Sequence, residues 1–270
     1  MQTELWGGVT IPVTIDDING RWLVDTGNVT SMISTSIVSE LKLKRFEAPG
    51  GVMMGGVSIH QTVHPHQIVL AGMRDSSATL DVAPTNVLDD DTIGMLAPDI
   101  MQQFDIDFDF AAGKLNIFSH DHCPDRVVYW TQSNYARVPM KLDAYGHITI
   151  PVSLDGRQII AIVDTGAETS FMTLEDVRSV FGLHNSNSEL IATGTTRING
   201  MPATETYGFD FGTLTLEGVQ ITKPNIVVVK SSGIAEDKTQ ITLGIETLRQ
   251  LHMYIAYDEQ ALYFTAAEAR

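Results

Sequence analysis

The sequence predicts an all-β chain with short helices, built as two β-barrel lobes related by a pseudo-twofold axis. Three observations point there. Gly, Thr, Val and Ile recur in short runs, which favours strands over long helices. Most of the 270 residues fall into two copies of one pattern. Each copy carries the same tripeptide behind an apolar run, and each ends in a short helix and a hairpin.

The repeat is clearest near the start of each half. Residues 9–33 read as a strand around Pro12, a turn, the run Trp22-Leu23-Val24, then Asp25-Thr26-Gly27 and Thr30-Ser31. Residues 148–172 read as a strand around Pro151, a turn, the run Ala161-Ile162-Val163, then Asp164-Thr165-Gly166 and Thr169-Ser170. A shift of 139 residues superimposes them without a gap. Further on, Ile93-Gly94 and Leu243-Gly244 form a second match. A helix is expected around 98–104 and another around 246–251. Strand–turn–strand pairs follow over 105–118 and 253–264. These bounds divide the chain into a first lobe of six or seven strands over 1–118, a connector over 119–135, and a second such lobe over 136–270. Val127-Val128-Tyr129-Trp130 is too apolar for a free linker and is expected to pack between the lobes or to form a shared strand.

Composition removes several function classes. A formal charge of -16 with no Lys/Arg cluster argues against nucleic acid as a partner. No stretch approaches the ~20 apolar residues of a membrane helix. Met1-Gln2-Thr3-Glu4 lacks the basic start and apolar core of a signal peptide. A lone cysteine, Cys123, excludes an intrachain disulfide and is read as a small packed residue.

Asp-Thr-Gly behind an apolar run places a carboxylate at the end of a buried strand. Glycine lets the chain turn tightly and brings a backbone N–H to that carboxylate. Thr offers a hydroxyl to the opposite loop. Two such loops face to face bring Asp25 and Asp164 close enough that both cannot ionise. An ionised carboxylate beside a protonated one supplies a general base for water and a general acid for a carbonyl. The bland reading is a β-turn, since Asp and Gly are common in turns. One chance copy is expected about once in twenty chains of this length. Two copies in phase, each followed by a later apolar-apolar-Gly, favour chemistry.

On these residues the chain resembles the aspartic peptidases, and within them the retropepsin-like branch found in bacteria. The motifs that carry the resemblance are Val24-Asp25-Thr26-Gly27, Val163-Asp164-Thr165-Gly166-Ala167, Ile93-Gly94 and Leu243-Gly244. The resemblance implies an acid-protease fold of the retropepsin/pepsin type, with both lobes in one chain as a pseudo-dimer. It implies peptide hydrolysis by water between Asp25 and Asp164, with a polypeptide substrate and no metal or other cofactor. It also implies support of the dyad by Thr26, Gly27, Thr165, Gly166 and Ala167, and a ψ-shaped crossing behind the catalytic loops at Ile93-Gly94 and Leu243-Gly244. Periplasmic or secreted placement is the expectation from the bacterial relatives. Asn28 departs from the family, which has Ala, Ser or Thr there; its amide is expected to reach the outer oxygen of Asp25.

Such a site needs a mobile hairpin over its cleft. Gly51, Met53, Met54 and Gly55 suit a flap tip in the first lobe, and Thr193 and Gly194, ahead of the Asn199-Gly200 turn signal, suit one in the second. Two rival readings stand beside the peptidase: a non-catalytic peptide-binding or scaffold protein that kept the cleft, and lobes that separate and work as a homodimer.

Other polar clusters are read as structural. His120-Asp121-His122-Cys123 does not match a zinc spacing and is expected to be a solvated connector. His60, His64 and His66 alternate as exposed positions would, and Asp89-Asp90-Asp91 reads as a solvated turn. Asp105, Asp107 and Asp109 alternate with Ile106, Phe108 and Phe110, the pattern of a half-buried strand with its polar face outward.

Overall fold

The computed structural model describes residues 1–3, 8–54, 57–84, 88, 92–123, 126–184, 189–197, 203–231 and 239–267, with the backbone alone at 3 and over 49–54. The first half forms β1 (Gln2–Thr3), β2 (Val9–Ile15), β3 (Ile18–Val24), β4 (Met32–Ser34), α1 (Thr35–Glu40), β5 (Arg45–Met54), β6 (Val57–Val63), β7 (Ile68–Leu70), β8 (Met73–Asp75), β9 (Leu80–Ala83), β10 (Gly94–Leu96), α2 (Pro98–Met101), β11 (Asp105–Asp109) and β12 (Lys114–Phe118). The second half forms β13 (Ala136–Pro139), β14 (Lys141–Leu142), β15 (Ile148–Leu154), β16 (Arg157–Val163), β17 (Ser170–Thr173), α3 (Leu174–Phe181), β18 (Ile191–Thr196), β19 (Thr204–Gly208), β20 (Thr213–Leu216), β21 (Val219–Thr222), β22 (Ile226–Val229), β23 (Ile241–Leu243), α4 (Ile245–Leu248), β24 (Leu251–Ala256) and β25 (Ala261–Ala266).

The two lobes repeat strand for strand. One ten-stranded sheet runs β5-β6-β9-β4-β10-β3-β2-β7-β8 with β1 on β2; the other runs β18-β19-β22-β17-β23-β16-β15-β20-β21 with β14 on β15. Each lobe therefore has more strands than the six or seven expected, because short edge hairpins such as β7–β8 and β20–β21 join the sheet. The alternation in Ile148–Leu154, buried at every second residue, shows why this segment is a one-sided strand. Two-residue turns set the register of the first hairpins, with Ile15 opposite Ile18 and Leu154 opposite Arg157. Asp16 (φ 50°) and Asp155 (φ 47°) take the left-handed conformation there, which short polar residues tolerate. Each then ties the hairpin to the rest of its lobe: Asp16 accepts from the Gln67 N–H, and Asp155 accepts from those of Gly212 and Thr213.

The helices are short and locally specified. Thr173 caps α3 by accepting from the Asp176 N–H at 3.1 Å, acidic residues occupy its first turn, and Gly182 ends it at φ 73°. Ser34 caps α1 in the corresponding place.

A third sheet joins the halves. Its order is β12-β11-β24-β25-β13, so a hairpin from each lobe meets the other antiparallel, with Ile106 opposite Ile255. The connector lies across this sheet. Val127 is buried against Tyr254 and Tyr263, with Val128 and Trp130 packed alongside; the run packs as expected but forms no strand.

Two expectations are corrected here. Asp105 and Asp107 do not face outward: both are fully buried. Asp105 accepts from His122 Nε2 at 2.6 Å, the Tyr257 N–H and the Tyr254 hydroxyl, and Asp107 bonds His252 Nε2 at 2.7 Å, Asn116 and Tyr129. Alternation of period two shows which residues share a face, not which face is covered, and here the connector covers the polar one. His120 and His122 accordingly dock on Asp105 instead of lying in solvent, while Cys123 is exposed instead of packed. His60, His64 and His66 are exposed, and Asp89-Asp90-Asp91 lies outside the described residues.

Candidate active site

Both aspartates sit where an apolar strand ends. β3 delivers Asp25 and β16 delivers Asp164, and each is anchored from behind by one carbonyl: the Asp25 N–H donates to Leu96 and the Asp164 N–H to Leu243, at 2.9 and 3.0 Å. Those carbonyls come from β10 and β23, which run parallel to β3 and β16.

This register corrects the expected match between the halves. Leu96-Ala97 corresponds to Leu243-Gly244, three residues past Ile93-Gly94. The Ala97 N–H donates to Ser31 Oγ at 2.9 Å, and the Gly244 N–H to Ser170 Oγ at 3.0 Å, so the buried serines of the repeat hold equivalent positions. Gly94 serves a different purpose. It lies opposite Trp22, and a Cβ there would fall 2.2 Å from the indole Nε1 and 2.4 Å from the Met32 carbonyl. The second lobe places Ile241 opposite Ala161 at this pair. Large and small have exchanged strands, and both pairs are buried.

The two loops are locked by four reciprocal hydrogen bonds. The Thr26 N–H donates to Thr165 Oγ1 (3.1 Å) and the Thr165 N–H to Thr26 Oγ1 (3.0 Å). The Thr26 hydroxyl donates to the Val163 carbonyl (2.7 Å) and the Thr165 hydroxyl to that of Val24 (2.8 Å). Both threonines are fully buried. Glycine is required next to them: a Cβ on Gly27 would lie 2.2 Å from the Asp164 carboxyl carbon, and one on Gly166 2.3 Å from that of Asp25. Each half's glycine thus makes room for the other half's carboxylate.

The carboxyls hydrogen-bond to each other. Asp25 Oδ1 accepts from the Gly27 N–H at 2.9 Å; Asp164 Oδ1 accepts from those of Gly166 (2.9 Å) and Ala167 (3.0 Å). Burial, then the negative charge of Asp164, push the Asp25 carboxyl well above the ordinary carboxylate range. Burial also raises Asp164, held back by the two N–H groups and by the hydrogen bond from Asp25. The titration belongs to the pair, which retains one shared proton over a range where isolated aspartates have lost theirs.

Asn28 does not reach the outer oxygen of Asp25 with its side chain. Its Nδ2 donates to the Thr30 carbonyl at 2.9 Å and contacts Met95 Sδ at 3.0 Å, because Met95 on β10 and the Thr30 carbonyl flank the amide. Only its backbone N–H serves the carboxylate.

Of the flap residues, Gly51, Met53 and Met54 lie on β5, paired with β6 across a register shift between Glu47 and Val52; Gly55 lies outside the described residues. Thr193 and Gly194 lie on β18, exposed along its length; the register shifts between Ala192 and Gly194, which leaves Thr193 as the extra residue, and Gly194 has φ 138°; Asn199-Gly200 lies outside the described residues. Among the described residues no cluster of His, Cys, Asp or Glu suits a metal ion, and no helix is long and apolar enough to cross a membrane.

A family model described as aspartyl protease matches residues 11–97 and 150–247, once in each lobe. The match takes in more than half of the chain, and the chain belongs to that family. No curated protein matched the sequence. Among solved structures it is similar to basic 7S globulin from soybean, at 11% identity and a TM-score of 0.53 over 96% of this chain and 95% of that one. Conglutin gamma from lupine seeds is similar at 10% identity and a TM-score of 0.53, over 98% and 93%. These likenesses show the two-lobed fold. A retropepsin-like aspartic protease from Rickettsia conorii matches at 20% identity and a TM-score of 0.37, over 48% of this chain and 91% of that one.

Proposed function

We propose that the chain is an aspartic endopeptidase. The observation that carries this is the hydrogen-bonded pair Asp25–Asp164, on loops that four cross-lobe bonds hold in register. The ionised carboxylate takes a proton from a water as its oxygen attacks the scissile carbonyl carbon. The protonated carboxyl gives its proton to the carbonyl oxygen. The tetrahedral diol then collapses: the C–N bond breaks, the leaving nitrogen takes the proton from one carboxyl, and a diol hydroxyl gives its proton to the other carboxylate, which restores the singly protonated pair. No metal or covalent intermediate enters. One chain supplies both carboxylates, so a working monomer is proposed. The β5–β6 and β18–β19 hairpins are the elements proposed to cover an extended peptide, which would bind through its backbone.

A second reading, peptide binding without hydrolysis, draws on the Asn28 amide, which is turned away from Asp25 and leaves that carboxylate without a side-chain donor from this position. The discriminating experiment is digestion of a mixed peptide library from acid to neutral pH. Asp25→Asn and Asp164→Asn should each lower kcat by at least about 10²-fold, the scale of general acid–base catalysis, while remaining folded. Full activity in either variant would refute the dyad. Peptide retention without products by the wild type would favour the binding reading.

A further inference from the structure

The halves differ at one position beside the dyad. On β15–β16, Thr149 stands opposite Ile162; carried two residues on, past the ends of both strands, that register sets His147 against Asp164. On β2–β3, Thr10 stands opposite Leu23, and the same step sets Gly8 across from Asp25. At that register position one carboxylate has a histidine and the other a glycine. Cross-strand neighbours lie on one face of the sheet, with Cβ atoms about 5 Å apart.

The imidazole is held in place. Its Nδ1 bonds Asp143 Oδ2 at 2.8 Å, with the side chain 15% exposed. The other Asp143 oxygen accepts from the N–H groups of Tyr145 (2.8 Å) and His147 (2.9 Å), and the turn closes with the Asp143 N–H on the His147 carbonyl at 3.0 Å. This turn abuts the first lobe, where Gly146 lies next to Pro98 of α2. Sequence reading missed His147, although the shift of 139 that aligns the aspartates sets it against Gly8.

We propose that His147, oriented by Asp143, makes the two carboxylates unequal: as an imidazolium it favours the anion on Asp164 over that on Asp25 and sets the acid limit of the pair. The inference rests on Asp25 and Asp164 being the working dyad, and His147 is a positioning residue acting through Asp164. The field of His147, felt at Asp164 and favouring its anion, supports it. Among the described residues, the other titratable groups around this corner are these. Asp143 and Tyr145 (ring 6.0 Å from the imidazole) lie on the same turn. Asp25 faces Asp164 from the first lobe. Asp99 of α2 is the nearest acid on the packed helix, and its carboxylate is engaged by the N–H and hydroxyl of Ser31.

The test is a carboxyl ¹³C NMR titration of aspartate-labelled protein, which needs no catalysis. In an Asp25→Asn background, His147→Gln should raise the Asp164 midpoint by about half a unit to one unit, as expected for one unit charge at this range in a partly solvated site. His147→Arg, which keeps the charge, should restore it. In an Asp164→Asn background, the Asp25 midpoint should move less. Equal movement of both aspartates, no movement, or the same shift with arginine as with glutamine would overturn the proposal. Where the wild type cleaves peptides, the acid limb of kcat/KM should move up with His147→Gln, with kcat falling about 3- to 10-fold on that limb and KM unchanged. A wild type without cleavage would count against the peptidase reading, and the NMR result would still decide this one.

Discussion

Replacing Thr165 by Val removes one hydroxyl and keeps the side chain's shape, so its cost can be worked from the four-bond lock. The hydroxyl donates to the Val24 carbonyl and accepts from the Thr26 N–H. Both backbone groups belong to the fully buried contact between the catalytic loops and are left unpaired by the change. An orphaned buried polar group costs about 1–3 kcal/mol, so two cost about 2–6 kcal/mol. Against a typical total of about 5–15 kcal/mol, that is a large share. Thr26→Val should cost the same amount, since it orphans the Val163 carbonyl and the Thr165 N–H. The double variant should cost less than the two together, because loops parted by the first change admit water to the groups exposed by the second. Urea unfolding of the three variants measures this. A loss under about 1 kcal/mol for either single variant, or strict additivity in the double, would refute the view that these bonds hold the lobes in register.

Gly94→Ala should destabilise by about 1–3 kcal/mol through overlap with Trp22 and the Met32 carbonyl, measurable by urea unfolding; in a Trp22→Ala background, itself about 3–5 kcal/mol less stable, the added cost of Gly94→Ala should be smaller. His122 yields a pH dependence. Burial pulls it down, but its hydrogen bonds to the Cys123 carbonyl and to Asp105 outweigh this and hold it above the ordinary imidazole. A raised histidine contributes stability that is full below the unfolded value of about 6.5 and is lost as pH rises through the folded one. The difference in urea midpoint between wild type and His122→Gln should therefore shrink from slightly acid to alkaline pH, and a difference that grows would contradict the His122–Asp105 pairing.

Much of the fold was legible because the chain repeats itself. The spacing from Pro12 to Asp25 and from Pro151 to Asp164 sets the hairpins, the tripeptides and their facing loops in register without coordinates. What was not legible depended on partners distant in sequence. Gly94 was matched to Gly244 because both are glycines after an apolar residue, yet one glycine answers Trp22 and the other lies against the backbone of Ala167 and Thr169. The direction faced by Asp105 and Asp107 depended on His122, Tyr129 and His252, which no local pattern brings to them. The Asn28 amide was drawn off by Met95, 67 positions away.

The shared sheet also fixes an order of events during synthesis. β11 is hydrogen-bonded on one side by β12, its neighbour in the chain, and on the other by β24, formed by Leu251–Ala256. A growing chain that has emerged only as far as Phe118 presents an open strand edge until that late hairpin leaves the ribosome. At about 5–20 residues per second the wait lasts roughly 7–28 seconds. Throughout it the carboxylates of Asp105 and Asp107 lack His252 and Tyr254, and for most of it the loop of Asp164 lacks the Leu243 carbonyl that anchors it from behind. The nascent protein is thus most vulnerable to sticking during the same interval in which its second catalytic loop is not yet anchored.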